Sequence, residues 1–224
     1  MTNVYSTPEK VATRRGLFRL GELALESDGW KVSRVPRGGK SSLREITRGK
    51  EKKRVSIRTS QDTWIAFPRK PDGSWVTLGE VDFVVAVSVN DRLSPTEARV
   101  HMIPGDVARD RFNRAYIARD EAGHTQPDGR GIWLPLYDPE VPGGPVAHVG
   151  GGMGIDYQPL LVHDLRQASL VGEDEQAADA DEPYSIAPVP NARAEAPLTI
   201  PEAKRRLALT LGVPENAIRI TVEH

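Results

Sequence analysis

The run Val81-Asp82-Phe83-Val84-Val85-Ala86-Val87-Ser88-Val89 constrains this chain most. It is the most apolar β-type stretch in the sequence, and such a run needs cover on both faces, which places it in the middle of a sheet. Shorter runs lead up to it from Gly29 onward. Trp30 to Val35 alternates and stops at Pro36-Arg37-Gly38-Gly39. Leu43 to Thr47 and Arg54 to Arg58 read as a hairpin joined by Arg48-Gly49-Lys50-Glu51-Lys52-Lys53. Trp64 to Pro68 is a further strand, leading into the turn Pro71-Asp72-Gly73-Ser74.

Helical signals flank these strands. Thr7-Pro8-Glu9-Lys10 places an N-cap candidate before a proline at the first helical position, so the sequence predicts a helix over 8–28 that Asp28-Gly29 ends. Arg99 to Ile103 is the expected strand after Val89, followed by a charged helix from Pro104 to Glu121, closed at Gly123. Gly131 to Leu136 is expected to return as an edge strand or cap, and Pro139 to Gly154 to be loop. The fold class is therefore α/β (α+β), a central mixed sheet flanked by helices.

Charge divides the chain into blocks. Residues 1–70 hold 17 Lys and Arg against 7 Asp and Glu, residues 71–170 hold 8 against 14, and residues 171–202 hold 1 against 8. A net charge of −1 hides that separation, which creates local fields of both signs. The expected domains are a core over 1–170, an acidic Ala/Pro-rich linker over 171–197 and a helix-strand tail over 198–224. The linker has too few large apolar side chains to offset its ordering entropy. In the tail, Thr199, Pro201-Glu202 and Gly212 mark a helix, and Ala217 to Val222 alternates as a strand. A unit that small must dock on the core, a second copy or a protein partner.

Several chemistries are excluded or unsupported. Without cysteine there is no disulfide frame, thiolate zinc site or thiol nucleophile. His101, His124, His148, His163 and His224 are dispersed without metal spacing. Gly150-Gly151-Gly152-Met153-Gly154 lacks the Gly-Lys-Ser/Thr ending of a phosphate loop. The polar start, Met1 to Glu9, and the lack of an apolar run of about 20 residues argue against export and membrane insertion. A cytoplasmic protein of bacterial or phage type is expected.

The order helix, strand, hairpin, central strand resembles the restriction-endonuclease-like fold, the PD-(D/E)xK superfamily, over residues 16–103. The resemblance implies a helical acid, a hairpin Asp, an acid-x-Lys strand and a polar follow-on. Glu22 matches the helical acid, Glu45 stands near the hairpin Asp, and Thr59-Ser60-Gln61 matches the follow-on. Ser56 and Arg58 replace the acid and lysine. A serine hydroxyl brings no charge to Mg²⁺, and an arginine stays protonated at neutral pH, so the motif is degenerate for cutting. Arg58 retains the planar donor pair that grips a phosphate.

Each residue also has a plainer reading. Glu22 can be a solvated neighbour of Arg19 and Glu26, and Glu45 a strand-face partner for a nearby cation. Ser56 can mark the less buried strand face, Arg58 can be an ordinary cross-strand residue, and Lys50 to Arg54 a solvated hairpin tip.

The expected function is binding of a DNA or RNA backbone without cleavage. The expected contacts are Arg34, Arg37, Lys40, Arg44, Arg48, Lys50, Lys52, Lys53, Arg54, Arg58 and Ser60. No cofactor is expected in that case. One alternative is an active Mg²⁺-dependent nuclease with a migrated site built from Glu22, Glu45 and Asp82. Another is a protein-interaction scaffold whose acidic linker masks its own basic face and whose residues 198–224 recruit a partner or a second copy.

Overall fold

The computed structural model describes residues 8–35, 41–126 and 129–166, all within the unit Met1–Ala187. The anticipated linker and tail, 171–197 and 198–224, lie outside the described residues, as do Arg37 and Lys40.

The chain opens with α1 (Pro8–Ser27), then β1 (Lys31–Arg34), β2 (Leu43–Arg48), β3 (Glu51–Ser60) and β4 (Trp64–Pro68). A 3-10 turn at Leu78–Glu80 precedes β5 (Phe83–Val89), β6 (Glu97–Pro104) and α2 (Gly105–Glu121). Next come β7 (Gly131–Pro135), a second 3-10 turn at Val146–His148, α3 (Met153–Asp156) and β8 (Pro159–Asp164). Six strands form one mixed sheet in the order β1-β2-β3-β5-β6-β8, antiparallel except for the parallel pair β3 and β5. β4 and β7 form a separate antiparallel pair. The protein is mixed α/β.

Alternation sorts the side chains into two cores. On β3 and β5, Val55, Ile57, Val85, Val87 and Val89 face α1 and pack with its Leu17, Leu20, Ala24 and Leu25. The opposite face carries Val84, Ala86 and Ile103. These pack under α2 (Ala108, Phe112, Ala115) and under the small sheet (Ile65, Phe67, Ile132, Leu134). Phe67 and Trp75 meet Phe112 edge to face at 5.1 and 5.6 Å.

Both long helices end as their sequences dictate. Gly29 adopts φ 87°, and the amides of Gly29 and Trp30 bond the carbonyls of Glu26 and Leu25, both at 3.0 Å. Gly123 repeats this motif at the end of α2, with its amide on Asp120 and that of His124 on Arg119. Arg119 is half-buried, donating to the carbonyls of Trp133 and Ala147 at 2.6 and 3.3 Å, and its desolvation pulls its pKa down to about 10.

The structure differs from the sequence reading in four places. The six-residue connection expected at Arg48–Lys53 is a two-residue turn, Gly49-Lys50, because Glu51 to Lys53 already belong to β3. Ladder pairing with β2 holds these charged residues in the strand. Gly131–Pro135 pairs with β4 away from the main sheet. The stretch expected to be loop contains α3, and β8 follows it unanticipated, with His163 and Asp164 in a strand.

Candidate nucleic-acid interface

Ser56 and Arg58 lie on β3, an inner strand of the six-stranded sheet. They occupy its face away from α1, and both are buried, Arg58 with only 5% of its surface exposed. Its guanidinium lies over the Phe67 ring at 4.1 Å and donates from Nη2 to the Thr77 hydroxyl at 2.8 Å. The Ser56 hydroxyl is 3.5 Å from that same oxygen. Thr77 is 3% exposed and adopts φ 63°, ψ −38°, with the Leu78 amide bonded back to the Val76 carbonyl. It is the sole non-glycine residue with positive φ among the described residues, and a β-branched residue resists that conformation.

The turn is held from several sides. Trp75 donates to Asn113 at 2.8 Å, Leu78 is fully buried, and Arg109 donates to the carbonyls of Leu78 and Val81 at 3.1 and 2.9 Å. A ligand phosphate cannot reach Arg58 while this strap is in place. Arg58 therefore does not join a surface site, contrary to the expectation that it grips a backbone.

The three candidate carboxylates point different ways. Glu22 faces the sheet from α1 and accepts from Arg44 Nε at 2.8 Å. Glu45, one residue along β2, alternates to the opposite face and pairs with Lys52 at 2.8 Å. Asp82 precedes β5, accepting from the Arg54 amide at 2.8 Å with Lys53 at 3.9 Å. Among the described residues no group of three or more His, Asp or Glu could hold a metal. The migrated site built from these three is not assembled.

The basic residues separate by burial. Arg44 is a clamp: it lies over Phe18 at 4.6 Å, bonds Glu22, and donates to the carbonyls of Ser41 and Leu43, both at 2.8 Å. Ser60 is buried and donates to Asp62 at 2.6 Å. These two also leave the expected contact set, since each is committed to the fold. Arg34, Arg48, Lys50, Lys52 and Arg54 are exposed, and Lys53 is half-buried. Arg48 lies over Trp30 at 4.2 Å with Asp28 at 3.5 Å.

Strand register gathers the exposed cations. Thr47 lies opposite both Lys31 and Lys52, and Glu45 opposite both Ser33 and Arg54. Two rows, Lys31-Thr47-Lys52 and Ser33-Glu45-Arg54, thus share the face away from α1. The covering layer of α2 and the small sheet stops at Leu43, leaving these rows in solvent. Strand spacing puts the Lys31 and Lys52 backbones about 10 Å apart. Lys31 was not among the expected contacts, because only register reveals that it shares a face with Lys52 and Arg54.

A second polar cluster was also missed. His101 is 1% exposed; its Nδ1 donates to the Tyr157 carbonyl at 2.7 Å, so Nε2 accepts from the Tyr137 hydroxyl at 2.9 Å. Ser88 lies 2.9 Å from that hydroxyl. Burial lowers the His101 pKa and raises that of Tyr137.

No protein-family model, no curated protein and no solved structure matches the chain. The site is therefore read from its own geometry.

Proposed function

We propose that this protein binds the backbone of DNA or RNA through the exposed face of β1, β2 and β3. It would do so as a restriction-endonuclease-like scaffold whose cutting position is filled by its own side chains. The observation that carries the reading is the pair of adjacent cross-strand rows presenting Lys31, Lys52 and Arg54 around one acid, Glu45, with Lys50 at the turn and Arg34 at the sheet edge. Cations on a surface open to solvent lower their energy by displacing the counterions of a phosphate chain. Such contacts fix position and carry no sequence information.

The nuclease position supports binding without cleavage. Ser56 supplies no carboxylate, Arg58 is turned into the core, and Glu22, Glu45 and Asp82 are each held by a separate cation or amide. The helix, three-strand meander and parallel strand β5 follow the order that the family resemblance implies.

The test is fluorescence anisotropy with a labelled duplex and a labelled single strand at low salt. The double variant Lys52→Glu, Arg54→Glu should bind at least about tenfold more weakly than the parent, since each lost phosphate contact removes favourable counterion release. Equal affinity in parent and variant would place binding elsewhere.

A further inference from the structure

Glu45 is the single acid that β1, β2 and β3 carry on the face away from α1. Register sets Arg54 directly opposite it, with Lys52 two residues further along the same face of β3. Lys52 Nζ lies 2.8 Å from Glu45 Oε2, and Ser33 donates to the Glu45 carbonyl at 3.2 Å. Other acids near the hairpin are engaged elsewhere. Asp28 and Glu51 meet Arg48 at 3.5 and 4.0 Å, and Asp82 accepts from the Arg54 amide. We propose that the Glu45 carboxylate holds the place of a backbone phosphate in the free protein, and that Lys52 exchanges it for phosphate when nucleic acid binds. The inference rests on the nucleic-acid reading above and names the residue that sets the strength of that site.

The chemistry of the exchange is simple. Carboxylate and phosphate oxygens are both anionic acceptors, and an ammonium donates to either. The lysine side chain is 66% exposed, so its ion pair stands largely in water, where such pairs hold weakly. A nucleic acid offers a run of phosphates and releases condensed counterions as they are neutralised, a gain that one carboxylate cannot match. Lys52 is therefore free to swing to the incoming chain.

Glu45 cannot follow it. Only 18% of its side chain is exposed, and its strand is paired on both sides, so the carboxylate stays beside the bound phosphate and repels it. The acid thus acts twice. It holds Lys52 in place before binding and weakens the contact afterwards. A basic face with no acid in it would attract any polyanion, and one fixed negative charge among Lys31, Lys52 and Arg54 limits that indiscriminate binding.

The full chain tests this with Glu45→Gln, which removes the charge and keeps the size. Affinity for a labelled duplex of about 20 base pairs is measured against salt. The variant is expected to bind about fivefold more tightly, with a log–log salt slope steeper by about 1. Glu51→Gln makes the same charge change on the opposite face and should alter affinity by less than about twofold. Lys52→Gln supplies the readout that a change in net charge alone would not move. It should cost less than about threefold in the parent and about tenfold in the Glu45→Gln background, where Lys52 has lost its competing partner. Equal affinity of parent and Glu45→Gln, an equal gain from Glu51→Gln, or the same Lys52→Gln loss in both backgrounds overturns the inference and leaves the nucleic-acid reading intact. Weaker binding by Glu45→Gln would make the acid a contact in its own right and overturn the inference as well. Binding by neither parent nor variant overturns both readings.

Discussion

Arg58 and Thr77 meet beneath the main sheet: the guanidinium donates to the threonine hydroxyl at 2.8 Å, and both residues are buried. The hydroxyl is presented by a backbone turn that threonine disfavours, at φ 63°. A strained residue persists only when its surroundings hold it, and here Trp75, Leu78 and Arg109 do so.

Thr77→Val keeps the shape and the β-branched strain but removes the acceptor. A buried hydrogen bond to a charged donor contributes about 2 kcal/mol, so the variant should lose about that much stability in urea unfolding. Thr77→Ser, which retains the hydroxyl, should lose far less. An unchanged midpoint for the valine variant would mean that the contact contributes nothing to the fold.

The close approach of α1 to the sheet depends on Gly21. A Cβ there would stand 2.9 Å from an Ile57 methyl and 3.0 Å from a Val87 methyl. Both belong to β-branched side chains that turn stiffly. Alanine gains about 1 kcal/mol in helix propensity, whereas overpacking a tight core costs about 1–3 kcal/mol. Gly21→Ala should therefore be destabilising by about 1 kcal/mol in chemical denaturation. A stabilised variant would show that α1 can lift from the sheet without loss.

Much of this architecture was legible in the sequence. Pro8 and Gly29 bounded α1, and the apolar run after Asp82 fixed the central strand, because these signals are local. Glu51 to Lys53 misled because a run of charged, largely exposed side chains has no hydrophobic alternation to reveal a strand. β8 was hidden for a related reason: Leu160 and Val162 are exposed, so its pattern did not resemble a half-buried strand. The site was less legible than the fold. Whether Arg44 and Arg58 face water depends on which residues cover them, and the Thr77 turn leaves no mark on a sequence where Trp75, Val76 and Leu78 are all apolar neighbours.

His101 gives a pH signature. Burial holds its folded pKa below the ordinary value of 6.5, so the unfolded chain binds the proton more readily. Stability should be full above about 6.5 and decline as pH falls below it, by up to about 1 kcal/mol per unit until the folded group also titrates. Urea unfolding at pH 7.5 and 5.5 checks this. His101→Gln should show a smaller difference between the two pH values than the parent, and an equal difference would remove His101 from the account.

Individual cations on the open strand face should each leave a measurable trace. Lys31→Ala and Arg54→Ala should weaken nucleic-acid binding across all sequences and each reduce the salt slope by about 1. Arg44, buried against Phe18 and Glu22, gives the contrast: Arg44→Met should lower stability while leaving the salt slope of the folded protein unchanged. A slope that responds to Arg44 and ignores Lys31 and Arg54 would put the contact surface on the wrong face.

The most direct test of the central claim is the salt dependence of duplex affinity for the unmodified protein. Four or five phosphate contacts from the β1–β3 face predict a log–log slope of about −4. Absence of binding at low salt, or an affinity that does not fall as salt rises, would contradict the claim that these strands hold a nucleic-acid backbone.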